Sequence, residues 1–283
     1  MSKHITTTKI IENKQIAPDI FDLRIHSPVQ VGLATAGQFL GIYTGNAAML
    51  LPRPLSICEI DPVGGTLRVI YRVVGGGTRE IAGLGVGDTL RVLGPLGNGY
   101  AIDPDYPNVA IVGGGLGVPP LLGLAASIRA AAPGVKIAVY LGFRDKSQVI
   151  LVEDFWRFVD EITVCTDDGS LGVQGNAVAA FRQGCHPGLD PGSSPGQCPT
   201  GSHIAMTTPD IIYGCGPKPM LKALSQYAAQ AALPCYVSVE EHMACCVGTC
   251  LACAVKLRQN DSTVAIKRAC CDGPVFNARE VVW

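Results

Sequence analysis

Near its C-terminus the chain reads EEHMACCVGTCLACAVKL, residues 240–257, with cysteines at 245, 246, 250 and 253, and RACCDGPVF adds Cys270 and Cys271. A cysteine does chemistry as its thiolate, a nucleophile and a soft ligand for zinc or iron. Counted from Cys245, the spacing is C-x4-C-x2-C with a distant fourth cysteine, the plant-type pattern of a 2Fe–2S cluster. Three thiolates must converge on a compact cluster. Gly248, Thr249 and Ala252 let the backbone wrap it, so that its N–H groups can bond to sulfur. Structural zinc asks for two C-x2-C pairs. Cys250 and Cys253 make one; adjacent Cys270 and Cys271 do not make the other. The doublets leave the register open. Cys246 in place of Cys245 gives C-x3-C-x2-C, and either Cys270 or Cys271 can stand fourth.

A second group of residues points to nucleotides. VAIVGGGLGVPPLLGLA, residues 109–125, reads as strand, Gly-rich turn and helix. In that context Gly113, Gly115 and Gly117 bring backbone N–H groups close to a pyrophosphate at a helix N-terminus. The pattern is G-x-G-x-x-P with Pro120, and a proline near the first turn of a helix gives up an N–H that would be orphaned anyway. YGCGPKPM, residues 213–220, repeats the theme. Cys215, Gly216 and Pro217 fall at the carboxyl end of a predicted parallel strand, where open α/β sheets bind ligands.

These residues need elements to position them. Residues 1–100 read as a β-barrel, because short runs such as FDLRIHS, GQFLGIYT, RPLSICEI and LRVIYRVV are punctuated by Gly, Pro and Asn. Residues 101–235 read as an α/β domain, in which strands at 109–114, 136–143 and 210–216 alternate with helices at 120–132, 155–163 and 217–232. Residues 236–283 carry the cysteines as a third, small module. Inside the α/β domain, GCHPGLDPGSSPGQCPTGSH (184–203) is too rich in Pro, Gly and Ser to order itself and reads as a disordered inserted loop. Cys185 and Cys198 within it read as bystanders.

Composition narrows the class. Of 283 residues 48% are hydrophobic and 16% charged, with a formal net charge of -1, so nothing points to nucleic acid or an anionic membrane as partner. No run approaches a membrane span and no leader is visible, which leaves a cytoplasmic protein as the expectation. There, 12 cysteines do not suggest a disulfide framework, and the clustered ones point to metal binding or catalysis.

The combination resembles the ferredoxin–NADP reductase superfamily, which joins a flavin-binding barrel to a nicotinamide-binding α/β domain. RPLSI (53–57) is similar to its R-P-x-S flavin motif. The resemblance implies FAD on Arg53, Pro54, Leu55 and Ser56, with the Arg53 guanidinium on a flavin phosphate. IYRVVGGGT (70–78) resembles the second flavin segment, implying Ile70, Tyr71 and Arg72 along the flavin and Gly77 and Thr78 at the pyrophosphate. GPLGNGY (94–100), TDDGSLG (166–172), YGCGPKPML, the cysteine loop and CDGPVF narrow the match. They resemble the electron-transfer subunits of NAD-dependent dihydroorotate dehydrogenase, type B, over nearly the whole chain.

The family pattern implies a 2Fe–2S cluster on Cys245, Cys250, Cys253 and Cys270, with Cys246 and Cys271 as second thiols. It implies NAD(H) on Gly113, Gly115, Gly117, Pro120, Gly216 and Pro217, with Cys215 near the nicotinamide. It also implies a separate FMN-containing catalytic subunit in an α2β2 assembly, serving pyrimidine (UMP) biosynthesis. The layout makes chemical sense: NADH gives up two electrons at once and a cluster carries one, so a flavin must stand between them. A sulfide dehydrogenase or ferredoxin:NADP transhydrogenase subunit would share this layout. In GFRDKS (142–147), Asp145 repels a 2′-phosphate while Arg144 and Lys146 attract one, so the preference for NAD rests on the resemblance. His242 stands beside the cysteines and reads as exposed.

Overall fold

The computed structural model describes residues 4–185, 208–259, 261 and 263–283. The expected disordered segment lies, from residue 186 onward, outside the described residues. Among the described residues no helix is long and apolar enough to cross a membrane.

Six antiparallel strands close a barrel: β1 (His4–Ala17), β2 (Ile20–His26), β3 (Phe39–Tyr43), β4 (Arg53–Asp61), β5 (Thr66–Arg72) and β6 (Thr89–Leu96), in the order β1-β2-β5-β4-β3-β6. Alternation puts Leu23, Ile25, Leu40, Ile42, Leu67, Val69 and Val92 inside, all fully buried. Closure leaves the sheet with no free edge. Two short helices interrupt the strands: α1 (Pro28–Val31) and α2 (Gly76–Ala82). α2 corrects the all-β reading of this region. GGGT opens a helix there because the Thr78 hydroxyl accepts the N–H groups of Val74 and Gly75 and ties the first turn.

A sheet of seven strands follows, in the order β10-β9-β8-β7-β11-β12-β15. These are β7 (Asn108–Gly114), β8 (Lys136–Phe143), β9 (Glu161–Thr166), β10 (Val173–Gln174), β11 (Ile211–Cys215), β12 (Cys235–Ser238) and β15 (Val275–Asn277). All neighbours are parallel except β15, which runs antiparallel to β12. Helices α3 (Val118–Ala131), α4 (Val152–Phe155), α5 (Ala177–Cys185) and α6 (Lys218–Gln230) connect them. The strand order reverses between β7 and β11, and the crevice at such a switch point is where open α/β sheets bind ligands. Between β12 and β15 the chain leaves the sheet as the cysteine loop and a hairpin, β13 (Ala254–Arg258) and β14 (Val264–Arg268).

The helix expected over 155–163 is corrected: α4 ends at Phe155 after one turn. The groups that would continue it are taken. Phe158 and Val159 close one last turn on the Phe155 carbonyl, after which the Asp160 N–H goes to Ile137 at 2.9 Å and the Arg129 guanidinium captures the Phe158 carbonyl at 2.9 Å and the Asp160 carboxylate at 2.7 Å.

The barrel and the sheet are locked together. Gly123 in α3 lies so close to β4 that a Cβ there would fall 2.8 Å from the Cys58 carbonyl. Arg68 of β5, 7% exposed, bonds Asp22 and Glu59 in the barrel and reaches Asp154 of α4 at 2.8 Å. Arg72 donates to Gln148 at 2.6 Å.

Candidate functional site

The first part of the site lies on the barrel, along β4. Arg53 starts that strand opposite Ile42, and Pro54, Leu55 and Ser56 continue it opposite Gly41, Leu40 and Phe39. All four are half-buried. The Arg53 guanidinium donates to the Leu51 carbonyl at 2.6 Å and lies over Gly77, where any Cβ would run into it. RPLS (53–56) and GGGT (75–78) are therefore one surface. Gly75 faces open space. A guanidinium, the opening turn of α2 and room above it make a cradle that fits a flavin pyrophosphate.

The segment 70–72 is placed differently. Ile70 is buried at the barrel–sheet contact. The Tyr71 ring is 1% exposed, stacks on Phe21 and donates its hydroxyl to Asn13 at 3.1 Å. Burial raises that phenol to about 12. What Ile70 and Tyr71 offer a ligand is backbone, and among the three only Arg72 is half-buried at the surface.

The second part is the switch-point crevice. Gly115 has a φ of +54° and faces open space, so its left-handed backbone leaves room for a phosphate. Gly117 is pressed against the Cys215 carbonyl and the Gly216 N–H, where no side chain fits. The two Gly-rich turns expected from the sequence are thus brought edge to edge. Gly113 is covered by Val118 and Leu121, and Pro120 is buried in α3, so both serve helix–sheet packing. Gly216 packs against Met220 and Pro217 is exposed at the start of α6. Cys215, paired with Gly113 across the β7–β11 ladder, is 9% exposed, and burial pushes its thiol up to about 12, so it stays protonated near neutral pH.

GFRDKS and TDDGSLG also meet. The Lys146 N–H donates to the Ser170 hydroxyl at 2.8 Å, and Asp145 caps its own turn by accepting from Ser147.

The third part is the cysteine loop. Cys246 and Leu251 take positive φ, both 59°, and Gly248 takes 87°. These left-handed residues coil the loop and turn N–H groups towards sulfur. The Cys245 sulfur accepts from Val247 at 3.5 Å and Cys250 at 3.4 Å, and the Cys253 sulfur accepts from Cys270 at 3.4 Å. Burial opposes ionisation of Cys245, but the N–H donors of Val247 and Cys250 outweigh it and bring the thiol down to about 6. Burial pushes Cys246 the other way, up to about 12. The first doublet is therefore unequal, with Cys245 as its ready thiolate. Burial together with Cys253 and Cys271 raises the Cys270 thiol, which a bound cation would reverse. Cys250 is exposed, and Cys253 and Cys270 are 2% and 1% exposed. Among the described residues no three His, Cys, Asp or Glu groups close round one point as a mononuclear ion requires. An all-thiol set with sulfur-directed N–H groups fits a 2Fe–2S cluster. His242 is exposed, as expected.

Residues without an assigned role in the sequence reading hold these parts together. The Asn98 N–H donates to Gly273 at 2.6 Å, and its side-chain amide reaches the carbonyls of Cys271 and Asp272 at 3.3 and 3.0 Å. The loop after β6 of the barrel thereby grips the turn that carries Cys270. Tyr100 donates its hydroxyl to Gly214 at 3.0 Å, beside Cys215. Both lie in GPLGNGY, a motif visible in the sequence but silent about what it touches. Arg268 clamps the turn at Cys270 by bonding Asp272 at 3.1 Å and Gly248 at 3.3 Å.

Known proteins share this arrangement. Residues 240–282 match the family described as the iron-sulfur cluster binding domain of dihydroorotate dehydrogenase B. The chain is 35% identical over 273 residues, 96% of either chain, to the electron transfer subunit of dihydroorotate dehydrogenase B (NAD(+)) from Clostridium perfringens (strain 13 / Type A). It is 38% identical over 280 residues, 98% of either chain, to the protein of that name from Streptococcus pneumoniae (strain ATCC BAA-255 / R6). Among solved structures, that of an NADH-dependent reduced ferredoxin-NADP oxidoreductase, studied for flavin-based electron bifurcation, superimposes with a TM-score of 0.80 at 32% identity, covering 98% of this chain and 90% of that one. With these identities running along nearly its whole length, on top of a flavin-type barrel, a nucleotide-type sheet and a coiled cysteine loop, the chain belongs to the family of dihydroorotate dehydrogenase B electron transfer subunits.

Proposed function

We propose that this chain is an NAD-dependent oxidoreductase subunit that moves electrons between NAD(H), FAD and a 2Fe–2S cluster. It serves a separate FMN-containing dihydroorotate dehydrogenase subunit in pyrimidine biosynthesis, in an α2β2 assembly in the cytoplasm. The observation that carries the reading is the Asn98 grip, which ties the Cys270–Gly273 turn to the barrel that carries Arg53. The name shared by the full-length relatives supports the partner and the direction. Ten cysteines among the described residues form no disulfide, which suits a reducing compartment.

Arg53, Ser56, Gly77 and Thr78 would hold FAD, with backbone from Ile70, Tyr71 and Arg72. The turns at Gly115–Gly117 and Gly216–Pro217 would hold NAD(H), and Cys245, Cys250, Cys253 and Cys270 the cluster. When bound, the flavin supplies the exchange between two-electron and one-electron steps. The chain's own residues do the rest. Arg53 neutralises phosphate, and the Gly117–Cys215 contact fixes the floor of the crevice. Cys215, held as a thiol, neither gains nor loses a proton there. The packed Gly123–Cys58 contact keeps barrel and sheet from sliding apart, and N–H groups on sulfur tune the cluster site.

The likeness to an NADH-dependent reduced ferredoxin-NADP oxidoreductase favours a second reading, a transhydrogenase-type subunit. Flavin and iron analysis of the purified chain, followed by co-expression with a dihydroorotate dehydrogenase FMN protein, separates the two. Under the first reading the holo-chain forms a stable complex and dihydroorotate reduces NAD+. A yellow-brown chain that ignores the FMN protein but exchanges electrons between ferredoxin and NADP+ sinks it, and a colourless chain sinks both.

A further inference from the structure

The two cysteine doublets are built differently. At Cys270–Cys271 the chain makes a tight turn around one carbonyl: the N–H groups of Cys271, Asp272 and Gly273 point back to Arg268 at 3.1, 2.8 and 3.3 Å. That turn brings the two neighbouring sulfurs to the same side, 3.7 Å apart. The distance is far beyond a disulfide bond of about 2.05 Å. It is a thiol–thiol hydrogen-bond contact, and it puts both sulfurs within reach of one iron position, since two metal–sulfur bonds of about 2.3 Å at the tetrahedral angle would place their sulfurs about 3.8 Å apart. The Cys271 sulfur also leans onto the cysteine loop, because a Cβ at Gly248 would fall 2.6 Å from it. Cys246 is the opposite case. Its backbone takes a φ of 59°, it is 1% exposed, and it packs in the buried cluster with Val255, Leu257 and Ala269 that also holds Cys253 and Cys270, but no sulfur–sulfur contact like that of Cys270 and Cys271 ties it to its neighbour Cys245.

We propose that Cys271 is a second, interchangeable ligand for the iron held by Cys270, and that Cys246 is a packing residue with no such role. The inference rests on the cluster reading given above. In the exchange one iron–sulfur bond replaces another: the Cys271 thiol gives its proton to solvent and binds, the released Cys270 thiolate takes one up, and no electron moves.

The test uses the full chain purified with its cofactors, as wild type and as Cys271→Ser, Cys270→Ser, Cys270→Ser/Cys271→Ser and Cys245→Ser. The readouts are iron and acid-labile sulfide per chain, the electron paramagnetic resonance of the dithionite-reduced protein, and flavin content as a check on folding. Cys271→Ser should match wild type. Cys270→Ser should keep iron and sulfide near the wild-type ratio with shifted resonance positions. The double variant and Cys245→Ser should lose both while keeping flavin. Iodoacetamide mapping gives a second measurement that does not depend on yield: Cys271 should be protected in Cys270→Ser and become labelled once a chelator removes the iron. A Cys270→Ser chain as iron-poor as the double variant overturns the proposal. So does a Cys245→Ser chain that keeps its cluster, or loss of the cluster in Cys271→Ser alone. A wild-type chain with no iron or sulfide refutes the cluster reading itself, which is a different failure.

Discussion

At the scale of single residues, the site is shaped as much by missing side chains as by present ones. Gly77 exists where it does because the Arg53 guanidinium occupies the space a Cβ would need, and that contact is what joins RPLS to GGGT. Gly77→Ala should therefore push Arg53 off its Leu51 carbonyl and away from a bound phosphate. A charge-assisted hydrogen bond contributes about 1.5–3 kcal/mol, so flavin binding should weaken about 10- to 100-fold. Fluorescence titration of the deflavinated chain with FAD checks this. Arg53→Lys should fall in the same range, since a point ammonium cannot replace a planar fork. Unchanged affinity in Gly77→Ala would mean that Arg53 points elsewhere when flavin is bound.

At the scale of elements, strands with a clear hydrophobic run were legible: the runs at 21–27, 67–74, 109–114 and 136–143 each fall on a strand, β2, β5, β7 and β8, with ends shifted by at most two residues. The misses have physical causes. FWRFVDEIT is apolar at helical spacing, yet Arg129, more than twenty residues upstream, takes the groups a longer helix would use. GGGT reads as a turn because glycine disfavours helix, and the Thr78 hydroxyl reverses that locally. The cysteine ligands and Gly-rich turns carry local patterns, whereas Asn98, Arg268 and Arg68 act through distant partners that no spacing announces. Arg68 makes the point energetically. Removing it in Arg68→Met strands Asp22, 1% exposed, without its cation, and breaking a buried pair costs about 3–5 kcal/mol. Asp154 is more open at 28%, so Asp154→Asn should cost about 1 kcal/mol or less and loosen only the barrel–sheet contact. Urea midpoints followed by circular dichroism should fall steeply for the first variant and slightly for the second; equal losses would refute the ordering.

At the scale of the whole molecule, three parts share three cores, one inside the barrel and one on either side of the sheet. The barrel core around Leu23, Leu67 and Val92 contains no residue of the cysteine loop. The core on one side of the sheet does: Cys253, Cys270 and Cys246 lie in the same cluster as Val112, Val237 and Phe276, and β15 returns the chain to the sheet next to β12. Flavin and nucleotide binding should thus survive damage to the loop, while onward transfer should not. Cys253→Ser changes one buried sulfur to a hydroxyl, a local cost of about 1–3 kcal/mol that the sheet can absorb. The purified variant should keep its FAD and reduce ferricyanide with NADH at close to the wild-type rate. Mixed with the FMN subunit, it should fail to couple dihydroorotate oxidation to NAD+ reduction. If coupling persists without iron, the route between the subunits bypasses the cysteine loop; if the ferricyanide rate collapses too, the loop is a structural part of the barrel–sheet unit and not a separable relay.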